Sequence, residues 1–329
     1  MSYACVFLGL QLAALFLVIF LASTPWFLTH DDYPWLQQQG YGIRLMHQDC
    51  DVVIIGDSTP LGLNPDIIRQ ITGLKTCNIT ESVMVPTVVG SNYLIDEYLK
   101  HNKRPRFLLG MYSAWRFEPN FHPFADFHGE GVVYGLQYIR SREFYIGFFR
   151  RPIWVAKFGV WAGHLLIGDL IDKYVPGFKR PVYSARAERE KYNGWWLSPE
   201  PGETTCKQMA QLVSPHYGHH GLEVDPGMVQ RSPGDVAAFR NRYSVGGTTV
   251  IVDVTPTPDC AIGKDILREH TEGLHDNAFE IIPVSYFNDW DVHFSQQGSR
   301  YISTEVGNQI LALEKQQDAE RSPAAGAPR

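Results

Sequence analysis

The chain has 329 residues, of which 44% are hydrophobic and 13% are aromatic, so it can bury a large core. This length fits one α/β domain with an insertion better than two domains. The formal net charge is −6 and Lys and Arg form no cluster, which argues against a nucleic-acid partner.

The N-terminal segment is apolar. No charged side chain precedes Asp31, and the run from Ala4 to Ala22 approaches the roughly 20 apolar residues that a helix needs to span a bilayer. Trp26 and Phe27 follow, where interfacial aromatic side chains are enriched. The segment therefore predicts a transmembrane anchor over residues 1–30.

A cleaved signal peptide is the alternative for this segment, with residues 21–24 as a poor cleavage site. The apolar run is long for a signal peptide and no basic residue precedes it, which favours an uncleaved anchor. We expect a single-pass protein of the inner or plasma membrane, whose main domain (residues 31–315) is extracytoplasmic, in the periplasm.

The first strand of that domain is predicted at Val52 to Gly56, an apolar run that ends in Gly-Asp-Ser. Such a continuous apolar run is typical of a buried parallel strand. Ser58 follows the strand directly, and ligands bind at the carboxyl ends of strands in open α/β sheets. Ser58 is therefore predicted to lie at a site.

Helix and strand patterns alternate after Ser58. Asn64 as cap and Pro65 in the first turn begin a helix that reaches Ile71. The remaining elements are predicted as a strand at 74–80, a helix at 90–100, strands at 106–111 and 248–254, a helix at 263–273, a strand at 279–284 and a final helix at 299–314. This alternation predicts a doubly wound parallel sheet, followed by a disordered tail over residues 316–329.

A large insertion is predicted at about 116–241. It holds an aromatic stripe at helical spacing, Trp154, Phe158, Trp161 and Leu165, which is more typical of a core than of an interface. The preceding segment, 144–151, places two arginines beside aromatic residues and could lie on a membrane surface or against a membrane-embedded partner.

Four cysteines follow the apolar segment, an even number that suits an oxidising compartment. Cys50 precedes the first strand and Cys77 lies in the second, so a disulfide between them is geometrically possible if the strands are parallel neighbours. Cys206 and Cys260 would then pair by elimination. The alternative is that all four are reduced.

No metal or cofactor is predicted. The histidines at 216, 219 and 220, and those at 122 and 128, lack a matched acidic or cysteine set at known ligand spacing, so they are interpreted as loop residues.

A candidate base and acid for Ser58 lie near the other end of the chain. A serine hydroxyl needs an imidazole to take its proton and a carboxylate to orient that imidazole. His293 follows Asp289 and Asp291 there. The Gly-Asp-Ser strand end and this late Asp/His segment together resemble the SGNH (GDSL-type) hydrolase superfamily. The resemblance implies a three-layer α/β/α fold around a flavodoxin-like, five-stranded parallel sheet.

The choice of aspartate stays open. SGNH enzymes usually carry Asp-x-x-His, whereas residue 290 is Trp here. The Asp-x-His-aromatic-Ser run from Asp291 to Ser295 is similar to that of alginate-type polysaccharide O-acetyltransferases, which favours Asp291 over Asp289. The non-catalytic alternative is that Asp57, Ser58 and His293 only cap helices.

The oxyanion hole departs from the family pattern. The resemblance implies a glycine donor after the second strand, for which Gly90 is the candidate and Ser82 its rival. The asparagine expected after the third strand is missing. The substitutes there are Tyr112, Ser113 and Arg116.

The resemblance implies the function of a membrane-anchored polysaccharide O-acetyltransferase. Such a protein would receive acyl groups from a membrane-bound O-acyltransferase and pass them, through an acyl-Ser58 intermediate, to a polysaccharide acceptor. A serine esterase that uses water is the first alternative. A non-catalytic scaffold of an exopolysaccharide assembly is the second.

Overall fold

The computed structural model describes residues 2–22, 47–57, 59–80, 92–114, 233–261, 263–288 and 293–321. Its elements, in chain order, are α1 (Ser2–Ala22), β1 (Val52–Gly56), α2 (Pro65–Thr72), β2 (Thr76–Asn78), α3 (Asn92–His101), β3 (Phe107–Tyr112), α4 (Pro233–Tyr243), β4 (Thr249–Val254), β5 (Thr257–Pro258), α5 (Lys264–Thr271), β6 (Ile281–Ile282) and α6 (Gln296–Arg321). Short 3-10 turns lie at Thr59–Gly62, Val245–Gly247 and Val284–Tyr286.

Strands β1 to β4 form one parallel sheet in the order β2-β1-β3-β4. In the register, Val52 lies beside Thr76 on one side and beside Phe107 on the other, and Phe107 lies beside Thr249. Every residue of β1, β2 and β3 is buried, as expected for a parallel sheet that is covered on both faces. The α/β class and the parallel sheet are confirmed.

Helices cover both faces of this sheet. Successive residues of a strand face opposite sides of the sheet, so Gly110 and Met111 of β3 lie on opposite faces. Gly110 faces the ring of Phe239 in α4. Met111 lies beside Asp253 in the register, and Asp253 accepts a hydrogen bond from Gln309 in α6 (Nε2···Oδ1 3.1 Å). Helices α4 and α6 therefore pack on opposite faces.

Helix α2 packs beside α6, and α3 packs beside α4. A Cβ added to Gly307 of α6 would lie 2.9 Å from Cδ1 of Ile71, so α2 crosses α6 closely. The Tyr243 hydroxyl of α4 donates to Asp96 of α3 (3.1 Å). The described residues thus form three layers, with α2 and α6 on one face and α3 and α4 on the other.

Helix α2 has the predicted boundary signals. The Asn64 side chain accepts a hydrogen bond from the N–H of Asp66 (2.9 Å), and Pro65 is the first helical residue. Gly73 ends the helix with φ 74°, a left-handed conformation that favours glycine, and its N–H donates to the carbonyl of Arg69 (2.8 Å).

The prediction of a fifth strand in this sheet at 279–284 was wrong for the described residues. Only Ile281–Ile282 joins a ladder, and it pairs with Thr257–Pro258, beyond the end of β4. These two short strands are a separate parallel pair.

Two side chains occupy the free edge of β4 instead. A carboxylate oxygen of Asp276 accepts from the N–H of Val252 (2.8 Å). The Asn277 side chain accepts from the N–H of Val254 (3.0 Å) and donates to its carbonyl (2.9 Å). Because these groups bond where a neighbouring strand would bond, the described sheet has four strands.

The N-terminal residues 2–22 form one helix, α1, whose large apolar side chains are exposed, among them Tyr3, Phe7, Leu10 and Leu17. Of the helices in the described parts of the chain, none is sufficiently long and apolar to cross a membrane. The transmembrane anchor over residues 1–30 stays a prediction.

The last helix is longer than predicted. Helix α6 continues past Glu314 to Arg321, into the range expected to be a disordered tail. The added residues include good helix formers, and Gln316 donates to Glu320 (3.1 Å) one turn later. Residues 322–329 lie outside the described residues.

The predicted insertion lies outside the described residues except for 233–241, which begin α4. Val236 and Phe239 of this helix are buried in the core of the domain. The end of the predicted insertion is thus part of the layer that covers the sheet.

Cys50 and Cys77 form a disulfide with a Cα–Cα distance of 6.0 Å. Cys77 lies beside Val53 in the register of β2 and β1, which brings the two cysteines to neighbouring strands. Cys260 also takes part in a disulfide, and Cys206 lies outside the described residues.

Candidate active site

The end of β1 approaches its neighbours closely at Gly56. A Cβ at this position would lie 1.9 Å from the carbonyl oxygen of Met111 in β3 and 2.6 Å from Cγ of Pro60. Only glycine fits between this backbone and the turn that follows. The glycine of Gly-Asp-Ser is therefore required by packing, and the chain turns directly after it. Ser58 itself lies outside the described residues.

Asp57 is buried beside that turn. One carboxylate oxygen accepts from the backbone N–H and the hydroxyl of Thr59 (2.9 and 2.6 Å). The other accepts from the N–H of Ser113 (2.9 Å) and from its hydroxyl. The residues on both sides of Ser58 are thus held in place, and they are tied to the end of β3.

Asn78, which ends β2, fixes the same turn from the other side. Its side-chain nitrogen donates to the carbonyls of Pro60 (2.6 Å) and Leu63 (3.3 Å), and its oxygen accepts from the N–H of Thr80 (3.0 Å). Asn78 is fully buried. It gives a buried donor to the Leu63 carbonyl and a second donor to the Pro60 carbonyl, which also accepts from the N–H of Leu63 (2.9 Å).

His293 and Phe294 are joined by backbone contacts to Phe287 and Asn288. Phe287 and Phe294 form an antiparallel bridge, and the N–H of Asn288 donates to the carbonyl of His293 (2.7 Å). The His293 side chain is half-buried. Both predicted acids, at positions 289 and 291, lie between Asn288 and His293 in the chain and outside the described residues.

Ser295 anchors the segment before it to α6. Its hydroxyl donates to the carbonyl of Ser285 (2.9 Å) and accepts from the N–H of Gly298 (3.2 Å). A Cβ on Gly298 would lie 1.9 Å from the carbonyl oxygen of Tyr286, so glycine is required there for the helix to approach this segment. The helix cap in this segment is Ser295, two residues after His293.

The two halves of the candidate site meet at Gly62 and Phe294. A Cβ on Gly62 would lie 3.2 Å from Cβ of Phe294, so the turn after Ser58 contacts the residue after His293. The Ser299 hydroxyl of α6 donates to the carbonyl of Gly62 (2.5 Å), and the N–H of Asn64 donates to Ser303 (2.8 Å). The structure thus brings together the segments that flank Ser58 and His293, which are distant in sequence.

Two of the proposed oxyanion donors have other roles. Ser113 uses both its N–H and its hydroxyl on Asp57, which argues against it as an oxyanion donor. Tyr112 is fully buried and its ring lies over Gly110, where an added Cβ would be 2.9 Å from its Cε2. The other three candidates, Ser82, Gly90 and Arg116, lie outside the described residues.

The sequence suggested only a helix cap for Asp57 and no role for Asn78 or Thr255. All three are polar and buried, and each ends or directly follows a strand of the parallel sheet. A polar residue after an apolar strand was the available signal, and it pointed to Ser58 after the first strand and to Tyr112 and Ser113 after the third.

Within the described ranges, no group of three or more His, Cys, Asp or Glu side chains could hold a metal ion. No protein-family model, no curated protein and no solved structure matches this chain. The resemblance to SGNH hydrolases therefore stays a prediction from the residues at 56–58 and 289–295.

Proposed function

We propose that this protein is an extracytoplasmic serine acyltransferase that acetylates a cell-surface or secreted polysaccharide through an acyl-Ser58 intermediate. His293 is the general base, and Asp291 or Asp289 orients its imidazole. The proposal needs no cofactor.

The contact between Gly62 and Phe294 carries this proposal. The 3-10 turn begins one residue after Ser58, and Phe294 follows His293 directly. Their contact, with the Ser299 hydrogen bond to Gly62, supports the approach of a nucleophile and a base that are far apart in sequence. The turn also lies at the carboxyl end of β1, where open α/β sheets bind ligands.

The chemistry proceeds in two steps. Ser58 Oγ attacks the carbonyl carbon of the acyl donor, His293 takes the hydroxyl proton, and the donor's leaving group departs with that proton. A sugar hydroxyl then attacks the acyl carbon, gives its proton to His293, and leaves as the acetylated product while Ser58 is regenerated. A carboxylate at 289 or 291 stabilises the imidazolium that forms in each step.

The acyl donor in this proposal reaches the site at a membrane, from a membrane-bound O-acyltransferase. Helix α1 supports a membrane location, because it carries no charged residue and exposes large apolar side chains. Extraction of the native membranes with alkaline carbonate tests this part. Recovery of the full chain in the membrane pellet supports it, and release of the full chain into the supernatant contradicts it.

Covalent labelling tests the nucleophile. The full-length protein in mild detergent is treated with a fluorophosphonate, in which Ser58 Oγ displaces fluoride from phosphorus. We expect one label at Ser58, hydrolysis of an activated acetyl ester, and loss of both in Ser58→Ala. Ser244→Ala is the matched control, because Ser244 is exposed and its side chain caps no helix. A folded protein that takes no label at Ser58 contradicts the proposal.

An oligosaccharide acceptor then separates the alternatives. Acetylated oligosaccharide supports the transferase. Acetate release with an unmodified acceptor indicates the serine esterase. A folded protein that labels nowhere and turns over no ester is the result expected for the scaffold.

A further inference from the structure

The carboxylate of Asp57 joins the two residues on either side of Ser58. Its Oδ1 accepts from the N–H of Thr59, two residues ahead (2.9 Å). The hydroxyl of Thr59 donates to the same oxygen. Ser58 is thus the one residue between a buried carboxylate and the backbone that this carboxylate binds.

The direction of the next hydrogen bond follows from proton counting. The hydroxyls of Thr59 and Thr255 lie 2.7 Å apart. A hydroxyl has one proton, and that of Thr59 is donated to Asp57, so Thr255 must donate to Thr59. Thr255 directly follows β4, and its N–H donates to the carbonyl of Tyr112 (2.9 Å).

A continuous network therefore crosses the carboxyl edge of the sheet. It begins at Thr255 after β4, passes through Thr59 to Asp57 after β1, and ends at Ser113 after β3. These residues are each at most 2% exposed, so the bonds form away from water, where they are strong and an unmade bond is costly.

We infer that Asp57 is a positioning residue that sets the place of Ser58 Oγ through the network Thr255, Thr59, Asp57 and Ser113. This inference rests on the proposed function of Ser58. One carboxylate oxygen of Asp57 binds the turn and the other binds the residue after β3, whereas the carboxylate that orients His293 in the proposed function is Asp289 or Asp291.

Asp57→Asn in the full-length protein is the first test. The amide has the shape of the carboxylate, but its nitrogen places a donor against the donors of either Thr59 or Ser113. We expect the maximal rate of fluorophosphonate labelling to fall about 10²-fold, as for a misplacement of about 1 Å, while the probe concentration for half-maximal rate stays unchanged. Asp66→Asn, at a half-exposed position in α2 where the carboxylate pairs with Arg69, is the matched control and should label at the native rate.

A pair of variants at Thr255 keeps the test valid if Asp57→Asn does not fold. Thr255→Val keeps the side-chain shape and removes the hydroxyl, whereas Thr255→Ser keeps the hydroxyl. We expect slower labelling in Thr255→Val and rescue in Thr255→Ser. Equal labelling rates in Thr255→Val, Thr255→Ser and the native protein would overturn the inference. Such a result would leave the proposed function intact, because native Ser58 would still be labelled.

If native Ser58 takes no label, the proposed function fails. Hydrogen exchange then still tests the network, because it does not depend on labelling. We expect the amides of Thr59 and Ser113 to exchange faster in Thr255→Val than in Thr255→Ser at pH 7. Equal protection of both amides in the two variants overturns the network.

Discussion

Phe294, the residue after His293, packs against Gly62 in the turn after Ser58, so closely that a Cβ on Gly62 would lie 3.2 Å from Cβ and 3.3 Å from Cδ2 of Phe294. These atoms fix the separation between the two halves of the candidate site. A methyl group added at Gly62 would fit only if the Phe294 ring or the turn moved, because protein interiors are closely packed.

Gly62→Ala is therefore expected to move the two halves apart by a few tenths of an ångström. We expect a loss of stability of about 1–3 kcal/mol and a labelling rate of Ser58 that is roughly tenfold lower. Gly234→Ala is the control, because nothing lies within 4 Å of an added Cβ there. Thermal unfolding and fluorophosphonate labelling measure both effects, and an unchanged labelling rate in Gly62→Ala would contradict the expected coupling.

Asn78→Asp removes the donor that binds the carbonyls of Pro60 and Leu63 and places a buried carboxylate oxygen against them. We expect a loss of more than about 3 kcal/mol, because buried polar atoms lose a partner and a charge is left unpaired. Urea unfolding at pH 7 measures the loss. Asn308→Asp, at an exposed position of α6, makes the same chemical change and should lose far less.

Asp253 is predicted to make stability depend on pH. Burial is the largest cause that raises the pKa of Asp253, to about 7; the charges of Asp276 and Glu280 also raise it, and the hydrogen bond from Gln309 lowers it. The folded state therefore binds this proton more tightly than the unfolded state, whose aspartates have a pKa near 3.8. The contribution is fully present below pH 3.8, declines as the pH rises, and is absent above about pH 7.

Asp253→Asn should remove this decline, because the amide stays neutral and its oxygen still accepts from Gln309. We expect the free energy of unfolding of the variant, relative to that of the native protein, to rise from pH 5 to about pH 7 and to level off above it. Urea unfolding at a series of pH values measures this difference. A difference that is constant over the range would show that Asp253 is ionised in the folded protein at low pH.

The Cys50–Cys77 disulfide closes a segment with a sequence separation of 27 residues. Replacing both cysteines by Ala is expected to cost about 3–4 kcal/mol in the chain-entropy account of cross-links. Urea unfolding without reductant measures this. Cys5→Ala, in α1, is the control, and equal stability of the double variant and the native protein would refute a stabilising role.

Asp289→Asn and Asp291→Asn, made separately, show which carboxylate orients His293. The variant that loses the orienting carboxylate holds the wrong tautomer, and its labelling rate should fall by up to about 10⁴. The other variant should label at nearly the native rate. Equal, native rates in both variants would exclude an aspartate of this loop from the mechanism.

Several elements were predictable because their signals are local. Asn64, Pro65 and Gly73 mark the two ends of α2 by capping chemistry that needs no tertiary partner. The apolar runs of β1 and β3 likewise required burial on both faces, which only a covered parallel sheet supplies. The parallel pairing of the first four strands agrees with the predicted sheet.

The apolar run at 279–284 shows where local patterns failed. Its composition favours a strand, but the side chains of Asp276 and Asn277 accept hydrogen bonds from the backbone N–H groups at the edge of β4, where a further strand would pair. Competition between side chains and backbone for the same edge depends on distances that a sequence does not contain.

The sequence by itself determined that a buried strand ends at Gly-Asp-Ser and that a histidine follows two aspartates near the C-terminus. The tertiary structure decided that the turn after Ser58 contacts Phe294, and that Asp57 is bound to Thr59 and Ser113. The physical reason is that strand and cap signals act between neighbours in the chain, whereas a site is made by contacts between residues that only packing brings together.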